Sequence, residues 1–172
     1  MRTIAGQACV AVMITLGVGT SAQAQSRAMD GIRGEFGDVK ANVVAAAQKA
    51  PESLYGYQPT PDVYTFRKML LHIADASYSI CSGFKGTAGQ RPKVDADGML
   101  AKPEVLAAVN AAFAYCDEAL AAATDATLAE EVKTPRSTRV KSYYASHLLA
   151  HTSLHYGNLV TYLRMNKIAP GD

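Results

Sequence analysis

The feature that most constrains the fold is a long segment near the carboxyl end, residues 139–165, that no proline interrupts. Its apolar residues recur with helical spacing, so the segment is predicted to form one long helix. It holds three of the four histidines in the chain, His147, His151 and His155. On a helical wheel, one face of this segment is almost wholly apolar and comprises Tyr144, Leu148, His151, His155, Leu159 and Tyr162. His151 and His155 are therefore expected to point inward.

Two inward imidazoles four residues apart lie one helical turn from each other and can reach the same point. Such a pair is half of a metal site. The alternative is a pair of core histidines that bond to side chains or water. His147 falls at the edge of the apolar face, where bonding to water is the simpler expectation. The spacing alone leaves the metal site and the core pair both open.

Three further segments have helical periodicity, at residues 26–50, 60–84 and 102–123. Pro51 ends the first of them. Thr60 and Pro61 are predicted as the N-cap and first residue of the second helix. No segment alternates with period two for long enough to predict a strand. Four helices of about 20 to 27 residues predict an all-α fold, a four-helix bundle with its site on facing helices.

The amino terminus has the pattern of a secretory signal peptide. Arg2 supplies the positive charge, residues 4–18 are mostly apolar, and Ala22-Gln23-Ala24 is a small-x-small cleavage site. A short membrane anchor is the weaker alternative, because the apolar run is short and ends in that site. The sequence therefore predicts a signal peptide at residues 1–24, a domain at residues 25–172, and a periplasmic or secreted protein.

Removal of the signal peptide would also change the cysteine count. Cys9 would be lost, which leaves Cys81 and Cys116. Two cysteines in an oxidising compartment favour one disulfide bond. Two buried free thiols are the alternative.

Charge and motifs exclude several classes of function. The formal net charge of +2 is too small to indicate binding to nucleic acid or to a membrane surface. The sequence has no P-loop, no GxGxxG and no CxxC pair. Beyond the signal region, no apolar stretch is long enough to span a bilayer.

His72 is the only histidine outside the last helix. If the second helix faces the fourth, His72 supplies a third imidazole and leaves coordination positions open, as in catalytic metal sites. Three imidazoles without a carboxylate suit one divalent ion, zinc first and nickel second. Asp75, three residues after His72, is a candidate to orient an imidazole or act as a general base, unless it is a solvated carboxylate. Gly157 is expected to permit close helix packing near the site.

Three stretches carry a family resemblance: LLHIADA, which contains His72, HTSLHYGNLVTYLR, which contains His151 and His155, and the terminal IAP. They resemble the DinB superfamily of small bacterial metal-binding proteins over nearly the whole mature chain. The resemblance implies a four-helix bundle in which His72, His151 and His155 hold a divalent ion, often zinc or nickel. Asn158 stands where the family usually has Gln, and Leu154 where many members carry a further His. Neither change removes a ligand.

The resemblance implies a metal-dependent enzyme of the hydrolase or transferase type that acts on a small-molecule substrate. Relatives include thiol-dependent transferases and isomerases, but low-molecular-weight thiols are mostly cytosolic, so an export signal favours hydrolysis or a different substrate. The alternative is a non-catalytic metal-binding or stress-related bundle protein. A bundle that pairs through one helix face as a homodimer is a third hypothesis.

Overall fold

A computed structural model describes residues 19–134 and 137–170, with side chains from residue 27 onward. Residues 1–18, which contain most of the predicted signal peptide, lie outside the described residues. The predicted cleavage after Ala24 falls within the first helix, before Met29, the first buried residue of the described part. Signal cleavage and the resulting domain boundary stay predictions.

The described chain contains four long helices joined by short elements. The helices are α1 (Gly19–Lys49), α2 (Phe66–Phe84), α3 (Lys102–Ala121) and α4 (Lys141–Met165). The short elements are two 3-10 turns (Glu52–Gly56 and Ala126–Ala129) and two strands, β1 (Glu131–Lys133) and β2 (Thr138–Val140). The predicted four-helix bundle is confirmed. None of the helices in the described part is long and apolar enough to cross a bilayer.

The helices pack so that α2 lies between α3 and α4, and α1 contacts the same two helices from the opposite side. Apolar side chains from all four helices fill the space between them, with Phe36, Leu70, Val105 and Leu148 among those at most 1% exposed. Contacts at both ends define the direction of α2 against α4. Phe66 lies near Tyr162, and Gly83 lies against Tyr144, so the two helices are antiparallel.

The start of α2 differs from its prediction at Thr60 and Pro61. The N-cap is Thr65, whose side chain accepts a hydrogen bond from the backbone N–H of Lys68 at 3.2 Å. The Thr60 carbonyl instead accepts from the N–H of Val63, in an isolated turn. Both threonines have N-cap chemistry, but the N–H of Phe66 bonds to the Tyr57 carbonyl at 2.9 Å and fixes the helix start there.

The connection between α3 and α4 contains a hairpin that the sequence did not predict. β1 and β2 pair antiparallel, with Val132 opposite Arg139. Each strand has only three residues, too few to produce a recognisable alternation. The hairpin takes Arg139 and Val140 from the predicted fourth helix, so α4 begins at Lys141.

A disulfide joins Cys81 of α2 to Cys116 of α3, with the two Cα atoms 5.3 Å apart. The predicted pairing is confirmed, and both cysteines are buried. Long basic side chains satisfy carbonyls at the ends of two helices. Arg33 donates to the carbonyls of Leu120 and Ala123 near the end of α3, and Lys102 donates to those of Gln48 and Ala50 at the end of α1.

Candidate metal centre

The three predicted ligands meet between α2 and α4. His72 of α2 and His151 and His155 of α4 each offer one ring nitrogen such that these atoms lie within 4.8 Å of one another. The ring centroids are 5.1 Å apart for His72 and His151, 4.8 Å for His72 and His155, and 4.4 Å for His151 and His155. All three side chains are half-buried. The fold therefore brings together the set that the sequence predicted.

Helix geometry explains the arrangement. His151 and His155 lie one turn apart on the same side of α4. The antiparallel register between α2 and α4, which Phe66–Tyr162 and Gly83–Tyr144 define at the two ends, places His72 opposite this pair. Each ligand thus sits on a helix held by core packing instead of on a loop.

Burial and mutual crowding keep the rings neutral. Burial and the neighbouring imidazoles of His155, His72 and His147 lower the pKa of His151 to about 4. Burial and the charge of Lys68 lower the pKa of His72 against an opposing effect of Asp75. Burial and His72 lower the pKa of His155. Neutral imidazoles keep a free lone pair, which is the form that binds metals.

The donor set fits a divalent ion of the zinc or nickel type. Nitrogens bound to one tetrahedral zinc lie about 3.4 Å apart, given zinc–nitrogen bonds of about 2.1 Å. A spread of up to 4.8 Å needs only a small inward turn of the rings. Within residues 27–134 and 137–170, the nitrogens of His72 and His151 make no hydrogen bond to the protein, so their lone pairs are available to a metal. Imidazoles without a carboxylate suit zinc, nickel or copper better than magnesium or calcium.

Asn158 makes a polar contact with the triad. The side-chain amide of Asn158 lies 3.2 Å from Nδ1 of His155, one turn along α4. On the other side, the ring of Tyr64 stands edge-on to His72 with centroids 5.5 Å apart. Sequence reasoning noted Asn158 only as a departure from the family pattern. Its spacing of three residues from a candidate ligand is the signal that identifies it as a contact of that ligand.

His147 lies outside the triad, as expected. Its side chain is exposed, and its ring lies 5.8 Å from that of His151. The ring of His147 stacks on that of Tyr143, with ring planes 13° apart, and the guanidinium of Arg139 lies over the ring of Tyr143. These groups form a row at intervals of four residues along the outer side of α4 and its entry strand.

Asp75 is committed to an ion pair. Its carboxylate accepts two hydrogen bonds from Arg91, at 2.6 and 3.0 Å, and one from the backbone N–H of Val94 at 3.3 Å. Burial alone would raise the pKa of Asp75, but Arg91 and Val94, together with the nearby His72, hold it below its ordinary value. These contacts anchor the loop after α2 to the helix and give the carboxylate a structural role, which leaves it a weak base.

Gly157 does not have the predicted packing role. It is exposed, and nothing lies within 4 Å of the position that a β-carbon would take. The close approach occurs at Gly83 of α2, where such a carbon would lie 2.2 Å from the ring of Tyr144. The prediction failed because helix-interior glycines look alike in sequence, and only the facing helix identifies which one is needed.

Three cavities of the described part are lined by residues other than the three histidines. One, of about 370 Å³, runs between α1 and α3 and is lined in part by Val44 and Phe113. Two smaller ones, near Phe84 and near Arg67, are likewise lined by residues other than the three histidines.

The sequence matches the family model described as the DinB superfamily over residues 35–159. The fold is similar to that of a DinB-like protein from Bacillus cereus, with a TM-score of 0.67, 15% identity, and coverage of 83% of this chain and 95% of that one. It is also similar to a DinB family member from Shewanella denitrificans, with a TM-score of 0.67, 16% identity, and coverage of 87% and 92%. No functionally curated protein matches the sequence. At these identities the solved structures support the fold alone.

Proposed function

This chain belongs to the DinB superfamily, and from that premise we propose that it is an exported protein that binds one divalent metal ion through His72, His151 and His155. The observation that carries the proposal is the convergence of three neutral imidazoles, with ligand atoms within 4.8 Å of one another, on two rigid helices. Zinc is the first candidate and nickel the second, because the donors are all nitrogen.

We infer that the metal serves a reaction of the hydrolase or transferase type on a small molecule. Three protein ligands would leave a coordination position open for water or a substrate. A metal ion polarises the molecule bound at such a position and lowers the pKa of bound water. The chain's own contribution is to hold the three imidazoles neutral and fixed.

The second candidate function is metal binding without catalysis. It is favoured by the state of Asp75, because the carboxylate nearest to His72 in sequence is engaged by Arg91 and Val94 and is not free to act as a base. Under this alternative the open coordination position of the metal would hold only water or a stored ligand.

The metal proposal is tested with protein purified without an affinity tag. Elemental analysis should find one zinc or nickel per chain. His72→Ala, His151→Ala and His155→Ala should each lower the affinity in competition with a chelator at least tenfold. His147→Ala is the matched control and should keep both stoichiometry and affinity. Loss of the metal in His147→Ala with its retention in His72→Ala would overturn the ligand assignment.

The open position is tested with cobalt-substituted protein, whose visible absorption depends on the ligands of the ion. Addition of a small thiol or of azide should change the spectrum if an exogenous ligand has access. An unchanged spectrum would exclude the enzymatic proposal and favour metal binding alone.

The proposal of export rests on the signal-like amino terminus and agrees with the Cys81–Cys116 disulfide, a bond typical of oxidising compartments. The intact mass of protein recovered from the periplasm should correspond to a chain that begins at Gln25. Retention of residues 1–24 in that protein would overturn the predicted cleavage after Ala24.

A further inference from the structure

We propose that Asn158 is a positioning residue that selects Nε2 of His155 as the metal-binding nitrogen. The inference rests on the proposed metal site and goes beyond it, because it assigns the ligand atom and the residue that determines it. Neither the ligand set nor the helix spacing decides between the two nitrogens of an imidazole.

The observation is a contact that distinguishes His155 from the other two histidines. The side-chain amide of Asn158 lies 3.2 Å from Nδ1 of His155, and both side chains are half-buried. Within the described ranges, 27–134 and 137–170, the rings of His72 and His151 have no such partner. Among the candidate ligands in that part of the chain, His155 alone has one nitrogen held by the protein.

The chemistry of the neutral imidazole links this contact to the metal. A neutral ring has one N–H and one lone pair, on different nitrogens. When Nδ1 carries the proton and donates it to an amide oxygen, the lone pair is on Nε2, which is then the ligand. Histidines that bind metals commonly donate their other N–H to a carbonyl or carboxylate in this way.

An asparagine can hold the ring both with and without the metal. In the structure the amide nitrogen Nδ2 faces Nδ1, which suits a metal-free ring whose proton is on Nε2. A half-turn of the amide brings Oδ1 to the same place, where it accepts from Nδ1–H and frees the lone pair of Nε2. Leucine has the size of asparagine but offers neither partner, and aspartate offers only the acceptor.

The contact could instead be a local helix bond without consequence for the metal. Asn158 lies three residues after His155 on the same helix, where polar side chains often meet. A merely structural bond would affect folding stability and leave the ligand atom unchanged. The identity of the coordinating nitrogen is therefore the readout that separates the two roles.

The experiment compares zinc binding by wild type, Asn158→Leu and Asn158→Asp, with Asn110→Leu as the matched control on the exposed side of α3. Competition with a chelator should show Asn158→Leu about 10- to 100-fold weaker than wild type. Asn158→Asp should bind at least as well as wild type, because a carboxylate accepts from Nδ1–H. Asn110→Leu should be unchanged.

The ligand atom is read from the imidazole nitrogen shifts of ¹⁵N-labelled protein. In zinc-loaded wild type, Nδ1 of His155 should carry the proton and Nε2 should shift on loading, whereas in zinc-loaded Asn158→Leu this preference for Nε2 should be lost. Coordination through Nδ1, or an Asn158→Leu variant with wild-type affinity, would overturn this inference while leaving the three-histidine site intact. A wild-type chain that binds no zinc would overturn the metal proposal itself, and this inference with it.

Discussion

The ring of Tyr144 occupies the space where a β-carbon at position 83 would lie. That carbon would be 2.2 Å from Cε1 of the ring, well inside contact distance. Gly83→Ala should therefore force the half-buried Tyr144 aside or separate α2 from α4, and lower the free energy of unfolding by about 1–3 kcal/mol. Urea denaturation at neutral pH measures the change.

The matched control is Gly157→Ala in α4, where the added carbon meets open space. Alanine costs less backbone entropy than glycine within a helix, so this variant should gain about 0.5–1 kcal/mol. If the two variants change stability in the same direction, the proposed contact between Gly83 and Tyr144 is wrong.

The lowered pKa values of the three histidines predict a pH dependence for the metal-free protein. The folded state holds the pKa of His151 at about 4, below the usual value near 6.5 for an unfolded chain. Between these values the unfolded chain binds a proton that the folded chain does not, so acid favours unfolding. Stability should be constant above about pH 6.5 and fall as the pH decreases toward 4.

Thermal unfolding of metal-free protein at pH 7 and pH 5 measures this effect. His151→Leu removes one of the three groups and should make the fall in stability between about pH 6.5 and pH 4 less steep. The lowered pKa values of the three histidines also predict that the metal is lost at a lower pH than from a site of ordinary histidines. A wild-type melting temperature that is equal at pH 7 and pH 5 would contradict the lowered pKa values of the histidines.

At the scale of the element, the start of α2 determines the position along α4 that His72 faces. The first turn of α2 is fixed by Thr65, whose side chain caps the N–H of Lys68. Thr65→Ala should cost about 0.5–2 kcal/mol of folding stability, as expected for the loss of an N-cap. Chemical denaturation measures the loss.

Thr60→Ala is the matched control. Within the described residues the Thr60 side chain makes no hydrogen bond, and the substitution retains the backbone carbonyl, which accepts from Val63 and Gln58. It should change stability by less than about 0.5 kcal/mol. Since both threonines precede a helix-like pattern, the pair distinguishes the structural N-cap from the one predicted by sequence. A larger loss in Thr60→Ala than in Thr65→Ala would contradict the helix start.

At the scale of the whole molecule, the disulfide joins two helices of the bundle but not the pair that carries the histidines. Cys81 and Cys116 are separated by 35 residues in sequence. The chain-entropy model gives about 4 kcal/mol as an upper value for such a cross-link. The Cys81→Ser/Cys116→Ser double variant should melt at a lower temperature than oxidised wild type.

Metal stoichiometry should survive this change, because the histidines lie between α2 and α4 while the disulfide joins α2 to α3. Elemental analysis of the folded double variant, well below its melting temperature, measures this. A folded variant that retains its helical circular dichroism but loses the metal would show that the disulfide is needed for the site itself.

Local patterns in the sequence determined the helices and much of the candidate site. Helical spacing is a property of neighbouring residues, so it identified α1, α3 and most of α4, and it placed His151 and His155 on one inward face. Elimination supplied the rest: His72 is the only histidine outside α4, and two cysteines remain after the signal region. The predicted histidine cluster and cysteine pair are both found in the fold. They could be predicted because the chain offers few other histidines and cysteines.

Only the tertiary structure decided the features that depend on which residues face each other. The start of α2 at Thr65 required the Tyr57 carbonyl, the packing glycine proved to be Gly83 because Tyr144 lies opposite, and Asp75 proved to be bound by Arg91 from the loop after α2. Each is a contact between residues at least nine positions apart, and its energy depends on distances of a few ångströms that no local pattern encodes. The contact of Asn158 with His155 is local, but its consequence for the metal depends on His72, which α2 brings to the other side.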